Sequence, residues 1–212
     1  MSRPAALASL LTLLLGFAAG CGKAAPEPQV HFPKIYAVEQ QEIAAAALRE
    51  GDELKAEQAA ARAIEHDPDY PEPYGTLATV LARRGELRQA RSLLDSCLMR
   101  RPDFADGFLF RGALSDELKE SEAARADYLQ ASKAYEPLAA AHPEDTEMAL
   151  KFAVTEYLRA GTPGLRLINA LVSKYPDNHS IQFVKQRMDA QDRAFAFRWL
   201  TGLQKAGDPA TK

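Results

Sequence analysis

Two cysteines in 212 residues are too few for a disulfide framework or a four-cysteine zinc site. Positive charge is scarce as well. With 26 Lys+Arg against 29 Asp+Glu the net charge is −3, so the basic surplus on which nucleic-acid binding rests is missing. Aromatic residues make up 8% of a chain that is 47% hydrophobic, a composition that favours helices and disfavours an all-β fold. The longest apolar stretch, Ala5 to Ala18, falls short of the roughly 20 residues a membrane-spanning helix needs. Catalytic signatures are also lacking: there is no G-x-S-x-G, H-E-x-x-H, P-loop or G-x-G-x-x-G. The four histidines, His31, His66, His142 and His179, have no metal-ligand spacing to one another or to a cysteine. Neither an enzyme, a metal site nor a cofactor is expected.

What is present begins with an address. Arg3 is the only charge before Lys23, and the apolar stretch that follows it ends in Ala18-Ala19-Gly20-Cys21. A charged start, a short apolar core and small residues describe a secretory signal over residues 1–20. The small residues before Cys21 resemble the lipobox of bacterial lipoproteins, although Ala18 stands where that family most often has Leu. The resemblance implies that Cys21 becomes the first, acylated residue of the mature chain. Gly22, in place of the Asp that retains such proteins at the inner membrane, implies an outer-membrane anchor facing the periplasm. An ordinary secretory signal is the alternative. Residues 21–34 contain Pro26, Pro28 and Pro33 and little to pack, so they read as a tether, roughly 40 Å long when extended.

The rest of the chain repeats. Prolines in loop-like settings occur at Pro68, Pro102, Pro143 and Pro176, spaced by 34, 41 and 33 residues. The longer interval exceeds the first by about two helical turns, which lengthens a helix without rotating its face, and it is assigned to the stretch from Pro137 to His142. Three positions at which paired helices must approach closely hold Ala44, Ala56 and Ala63, then Ala78, Ala90 and Cys97, then Gly112, Ala124 and Ala131. All are small. Gly51-Asp52 and Gly85-Glu86 supply turns between helices, with Lys119-Glu120 in the third.

Period, small positions and turns together resemble the tetratricopeptide repeat (TPR), whose units are antiparallel helix pairs stacked into a right-handed superhelix. The resemblance implies an all-α fold with units at residues 35–70, 71–104, 105–144 and 145–177. In the fourth, Thr162 reads as an N-cap and Pro163 as the first helical residue. Ile181, Val184, Met188, Phe195 and Trp199 recur at helical spacing, which predicts one long capping helix over residues 178–205, followed by a disordered tail at residues 206–212.

In TPR arrays the first helix of each unit lines a concave groove. That geometry implies a protein-binding surface formed by Gln41, Arg49, Thr79, Arg83, Leu109, Asp116, Glu117, Lys151, Thr155 and Arg159. The lysine and asparagine with which chaperone-binding TPRs clamp a terminal carboxylate are absent, Gln41 and Ala45 standing in their place in the first unit. Cys97 reads as a small core residue. The functional expectation is a non-catalytic scaffold that binds envelope proteins through its concave face. In plan it is similar to the pilotins of pilus assembly or to adaptors of peptidoglycan hydrolases. The alternative is an immunity or inhibitor lipoprotein that masks one effector.

Overall fold

The computed structural model describes residues 31–203. The signal segment, Cys21 and most of the tether lie outside them, as do the last two residues of the expected capping helix and the tail at residues 206–212. Ten helices run α1 (Ile35–Glu50), α2 (Glu53–His66), α3 (Glu72–Arg83), α4 (Leu87–Arg100), α5 (Ala105–Glu117), α6 (Ser121–Ala141), α7 (Thr146–Ala160), α8 (Thr162–Lys174), α9 (His179–Asp189) and α10 (Phe195–Thr201). No strand occurs among the described residues, so the fold is all-α as expected. None of these helices is long and apolar enough to cross a membrane.

Proline sets where the units close. Each of α2, α4, α6 and α8 stops two residues before Pro68, Pro102, Pro143 or Pro176. The residue between the helix and the proline has left the helical backbone, with φ between −124° and −144° and ψ between 65° and 88°. The proline ring clashes with a helical predecessor, so the chain has to leave the helix there. The added length of the third interval lies in α6, which has 21 residues where α2 and α4 have 14.

Turns inside the first three units share one hydrogen-bond pattern. Asp52 N–H reaches Ala47 O, Glu86 N–H reaches Leu81 O and Glu120 N–H reaches Ser115 O, each at 2.9 Å. Such a Schellman turn requires one left-handed residue, which Gly51 (φ 81°) and Gly85 (φ 79°) supply without cost. The third turn puts Lys119 there at φ 64°. Its Cβ crowds the backbone, so Lys119→Gly is expected to raise the unfolding free energy by about 0.5–1 kcal/mol. Urea titration followed by circular dichroism would show this, and an unchanged or lower midpoint would contradict it.

The small positions are where the helices meet. Ala44, Ala56, Ala63, Ala78, Ala90 and Ala131 are wholly buried, and Cys97, Gly112 and Ala124 nearly so. At Gly112 a Cβ would come within 2.7 Å of the Tyr128 ring. Consecutive helices from α1 to α9 pack on one another, and α1 on α3, α3 on α5 and α7 on α9, which brings the odd-numbered helices together along one side.

Two expectations need correction. The fourth unit turns on Gly161 alone (φ 71°, ψ −87°), so Gly161 and not Thr162 is the cap, and Pro163 follows inside the first turn of α8. The capping helix is also broken. It ends at Asp189, turns through Gln191 at φ 55° and resumes as α10, which leaves α9 and lies against α3 and α5. The break is a further Schellman turn, with Asp192 N–H on Arg187 O and Gln191 N–H on Met188 O, both at 3.1 Å. No glycine or proline marks it. Asp192 then pairs with Arg198 and Arg187, holding the two helices at an angle.

The end of the tether is also anchored. The His31 ring lies 3.0 Å from the Asp67 carboxylate, which also accepts from Lys34 N–H at 2.9 Å and Asp69 N–H at 3.2 Å. Burial would raise the Asp67 carboxyl, but these hydrogen bonds outweigh it and hold the group below its ordinary value.

Candidate functional site

The concave side is only partly open, because α10 sits in it. Phe195 and Ala196 are buried, while Phe197 and Leu200 pack against a core of Ala78, Ala82, Leu94, Phe110 and Leu114 contributed by α3, α4 and α5. Arg83 Nε donates to Thr201 O at 2.6 Å, and its Nη1 donates to Leu48 O at 3.3 Å. That guanidinium ties α1, α3 and the C-terminal end of α10 together. Carbonyls at a helix C-terminus lack intrahelical partners and carry partial negative charge, so a cation is well placed there.

Beside α10 remains an open cleft of about 590 Å³, bounded by α1, α3, α5, α7 and the start of α9. Leu48 and Phe104 give it apolar surface over a floor of the buried Leu94, Phe110, Leu150 and Ile181, and Trp199 and Leu200 close it on the α10 side. Gln41 bridges α1 to α3 by donating from Nε2 to Thr76 Oγ1 at 2.9 Å, whereas its Oε1 is shielded from solvent and has no partner among the described residues.

Charge inside the cleft is organised around Lys151. Its Nζ lies 2.9 Å from both Asp106 Oδ2 and Glu147 Oε1. Burial alone would lower the Lys151 pKa, but the Asp106 carboxylate beside it wins and raises it, so the ammonium stays charged. The second oxygen of Asp106 accepts from the Tyr135 hydroxyl. Burial, reinforced by that carboxylate, pushes Tyr135 well above its ordinary value and keeps it a donor. Glu72, at the first turn of α3, also lines the cleft, and desolvation there raises its carboxyl.

The expected groove residues divide. Gln41, Thr79 and Lys151 line the cleft. Arg83 is adjacent but is occupied by α10. Asp116 and Glu117 border a smaller cleft of about 200 Å³ with Arg193 and Phe197, where Asp116 accepts from the Tyr128 hydroxyl at 2.8 Å. Leu109 corrects the expectation: it is wholly buried among α5, α6 and α7, because the register turns it into the core. Thr155 is likewise fully buried and donates back to Lys151 O at 2.8 Å. Arg159 forks onto Glu156 of its own helix, and Arg49 is exposed at the end of α1, outside the cleft. Sequence reasoning did not find Trp199 and Leu200 as cleft residues, since a straight last helix would have carried them away. Phe104, Phe110 and Leu150 look like core in any helical pattern and gave no signal of their own.

Other chemistry is sparse. No group of three or more His, Cys, Asp or Glu among the described residues could hold a metal ion. Burial pushes the Cys97 thiol up to about 12, so it is an inert core group.

Comparison with known proteins agrees with this geometry. Residues 47–114 match the tetratricopeptide repeat family. A 94-residue stretch is 37% identical to cellulose synthase operon protein C of Pseudomonas fluorescens, covering 44% of this chain but only 7% of that protein. Among solved structures, PilF of Pseudomonas aeruginosa is similar with a TM-score of 0.55 at 16% identity, over 83% of this chain and 78% of that one. MamA of Desulfovibrio magneticus gives 0.46 at 20% identity, over 84% of this chain and all of that one. The matched segment spans the end of α1, all of α2, α3 and α4 and most of α5, so residues 47–114 are tetratricopeptide repeats, and the same stacking of consecutive helices continues from α5 to α9.

Proposed function

We propose that this protein is a non-catalytic adaptor, held on the periplasmic face of the outer membrane by acyl groups on Cys21, which binds a segment of an envelope protein in its concave cleft. The observation that carries the binding reading is the cleft itself. It is about 590 Å³, with apolar and aromatic surface, a shielded acceptor without a partner among the described residues and charged groups at its edge, a combination suited to taking up a peptide segment. TPR proteins serve as protein-interaction scaffolds, and the family match supports that role. The anchor rests on Ala18-Ala19-Gly20-Cys21 after the apolar stretch. Several acyl chains, at about 0.8 kcal/mol per buried methylene, would make membrane attachment effectively permanent. A curated relative named for a cellulose synthase operon, together with the pilotin-like plan, points to assembly of an envelope complex.

The test compares three forms of the protein by fractionation and by affinity capture from solubilised envelopes. Wild type is expected in the membrane fraction with acylated Cys21, and Cys21→Ser in the soluble periplasm with its helicity intact. Gly75 lines the cleft, and a Cβ added there meets nothing within 4 Å. Gly75→Arg should therefore fold normally, fill the cleft and lose the captured partner. A wild type that is soluble and unacylated would refute the anchor; capture unaffected by Gly75→Arg would refute the cleft as binding site.

A further inference from the structure

The chemistry of the cleft selects what enters it. Its charged lining consists of three carboxylates, Glu72, Asp106 and Glu147, against the single ammonium of Lys151. Lys151 and Tyr135 both bond to Asp106, so its charge is already compensated. Glu147 is exposed and shares Lys151 with Asp106, and Glu72 has no ion pair within 4 Å among the described residues. An incoming anion would meet two undercompensated carboxylates and a lysine already bonded twice. An incoming cation would meet Glu72 and Glu147 directly. The partly exposed Leu48, Phe104 and Trp199 add apolar surface to the same cleft, and Gln41 Oε1, unpartnered among the described residues, can only accept a hydrogen bond.

Resting on the reading of the cleft as the binding site, we propose that its occupant is a cationic peptide segment. Lysine or arginine heads of that segment pair with Glu72 and Glu147, an aliphatic or aromatic side chain lies against Leu48, Phe104 and Trp199, and an N–H group reaches Gln41 Oε1. Like charges set across such a surface reject acidic segments, and opposite charges steer basic ones in. Trp199 belongs to α10, so the C-terminal helix is one wall of the site as well as a plug in the concave face.

Trp199 is the single tryptophan of the chain, so its fluorescence reports on the cleft. The soluble Cys21→Ser protein is titrated with the acetylated, amidated peptide Lys-Leu-Lys-Gly-Lys-Leu-Lys and with its counterpart in which every lysine is glutamate. The lysine peptide is expected to bind at least about tenfold tighter, and to lose about tenfold on Glu72→Gln/Glu147→Gln, a difference of about 1.4 kcal/mol. Binding should also weaken as salt is raised. Circular dichroism checks that the double variant keeps its helices. Equal or tighter binding of the glutamate peptide, no binding of the lysine peptide, or indifference to the double variant would each overturn the proposal. Those failures are separate from failure of the cleft reading, which is decided by whether Gly75→Arg still captures its envelope partner.

Discussion

Gly164→Ala is expected to destabilise the protein by about 3 kcal/mol or more, although it adds one methyl group to a helix and alanine is the better helix former. At Gly164 the two helices of the fourth unit touch backbone to backbone. A Cβ there would lie 2.2 Å from Tyr157 N and 2.5 Å from Ala153 O, both on α7. Side chains can rotate away from an intruding methyl, but main-chain atoms cannot, so α7 and α8 would have to separate. The single-residue turn at Gly161 leaves them little freedom to do so. Gly75→Ala serves as the control: its Cβ meets nothing within 4 Å, and removing glycine from a helix interior should stabilise by about 0.5–1 kcal/mol. Urea unfolding of the two variants side by side reads the difference. Similar midpoints would show that α8 does not rest on α7 as described.

The second large effect is expected at Arg111. From α5 its guanidinium forks onto Asp127 of α6, with Nε 3.0 Å from Oδ2 and Nη2 2.6 Å from Oδ1, and Nη1 reaches Asp95 of α4 at 2.7 Å. It also lies over the Phe108 ring, 5.5 Å from the centroid. One side chain therefore joins three consecutive helices across the boundary between two units. Asp127 is only 5% exposed, so Arg111→Ala leaves a buried carboxylate without its fork partner. Breaking one partner of such a pair costs about 3 kcal/mol, most of it the desolvation of the charge left behind. The double variant Arg111→Met/Asp127→Leu removes both charges and should recover most of the loss. If the double variant is as unstable as Arg111→Ala, the penalty comes from lost packing and not from the orphaned carboxylate. Thermal and urea melts of the three proteins distinguish these outcomes.

How much was legible in the sequence follows from the range of the forces involved. The ends of α2, α4, α6 and α8 could be read at Pro68, Pro102, Pro143 and Pro176 because a proline acts on its immediate neighbour. The turns at Gly51 and Gly85 were legible because a left-handed residue is usually glycine. The close-packed positions were legible because the repeat brings each to the same place in its unit, so a shared requirement for small volume shows as a pattern. Gly164 falls at an equivalent place in the fourth unit, but the pattern there is weaker and its contact is with backbone, which has no sequence signature. The break at Gln191 was invisible for a related reason. A left-handed glutamine has no distinctive identity, and Phe195 and Trp199 stay apolar whether the helix runs straight or folds back.

The sequence by itself determined the all-helical class, the period, the close-packed small positions and the pairing of neighbours, because local sterics and burial periodicity operate within a few residues. Only the tertiary structure decided that α10 turns into the concave side, that Arg83 holds its end, that Leu109 and Thr155 are buried, and that a cleft bounded by Gln41, Glu72, Lys151 and Trp199 remains open. Those outcomes depend on which apolar faces are left uncovered once α1 to α9 have stacked. Phe197 and Leu200 find their place on Leu94, Phe110 and Leu114, residues 83 to 106 positions earlier in the chain, and that surface exists only when the helices carrying it have already come together.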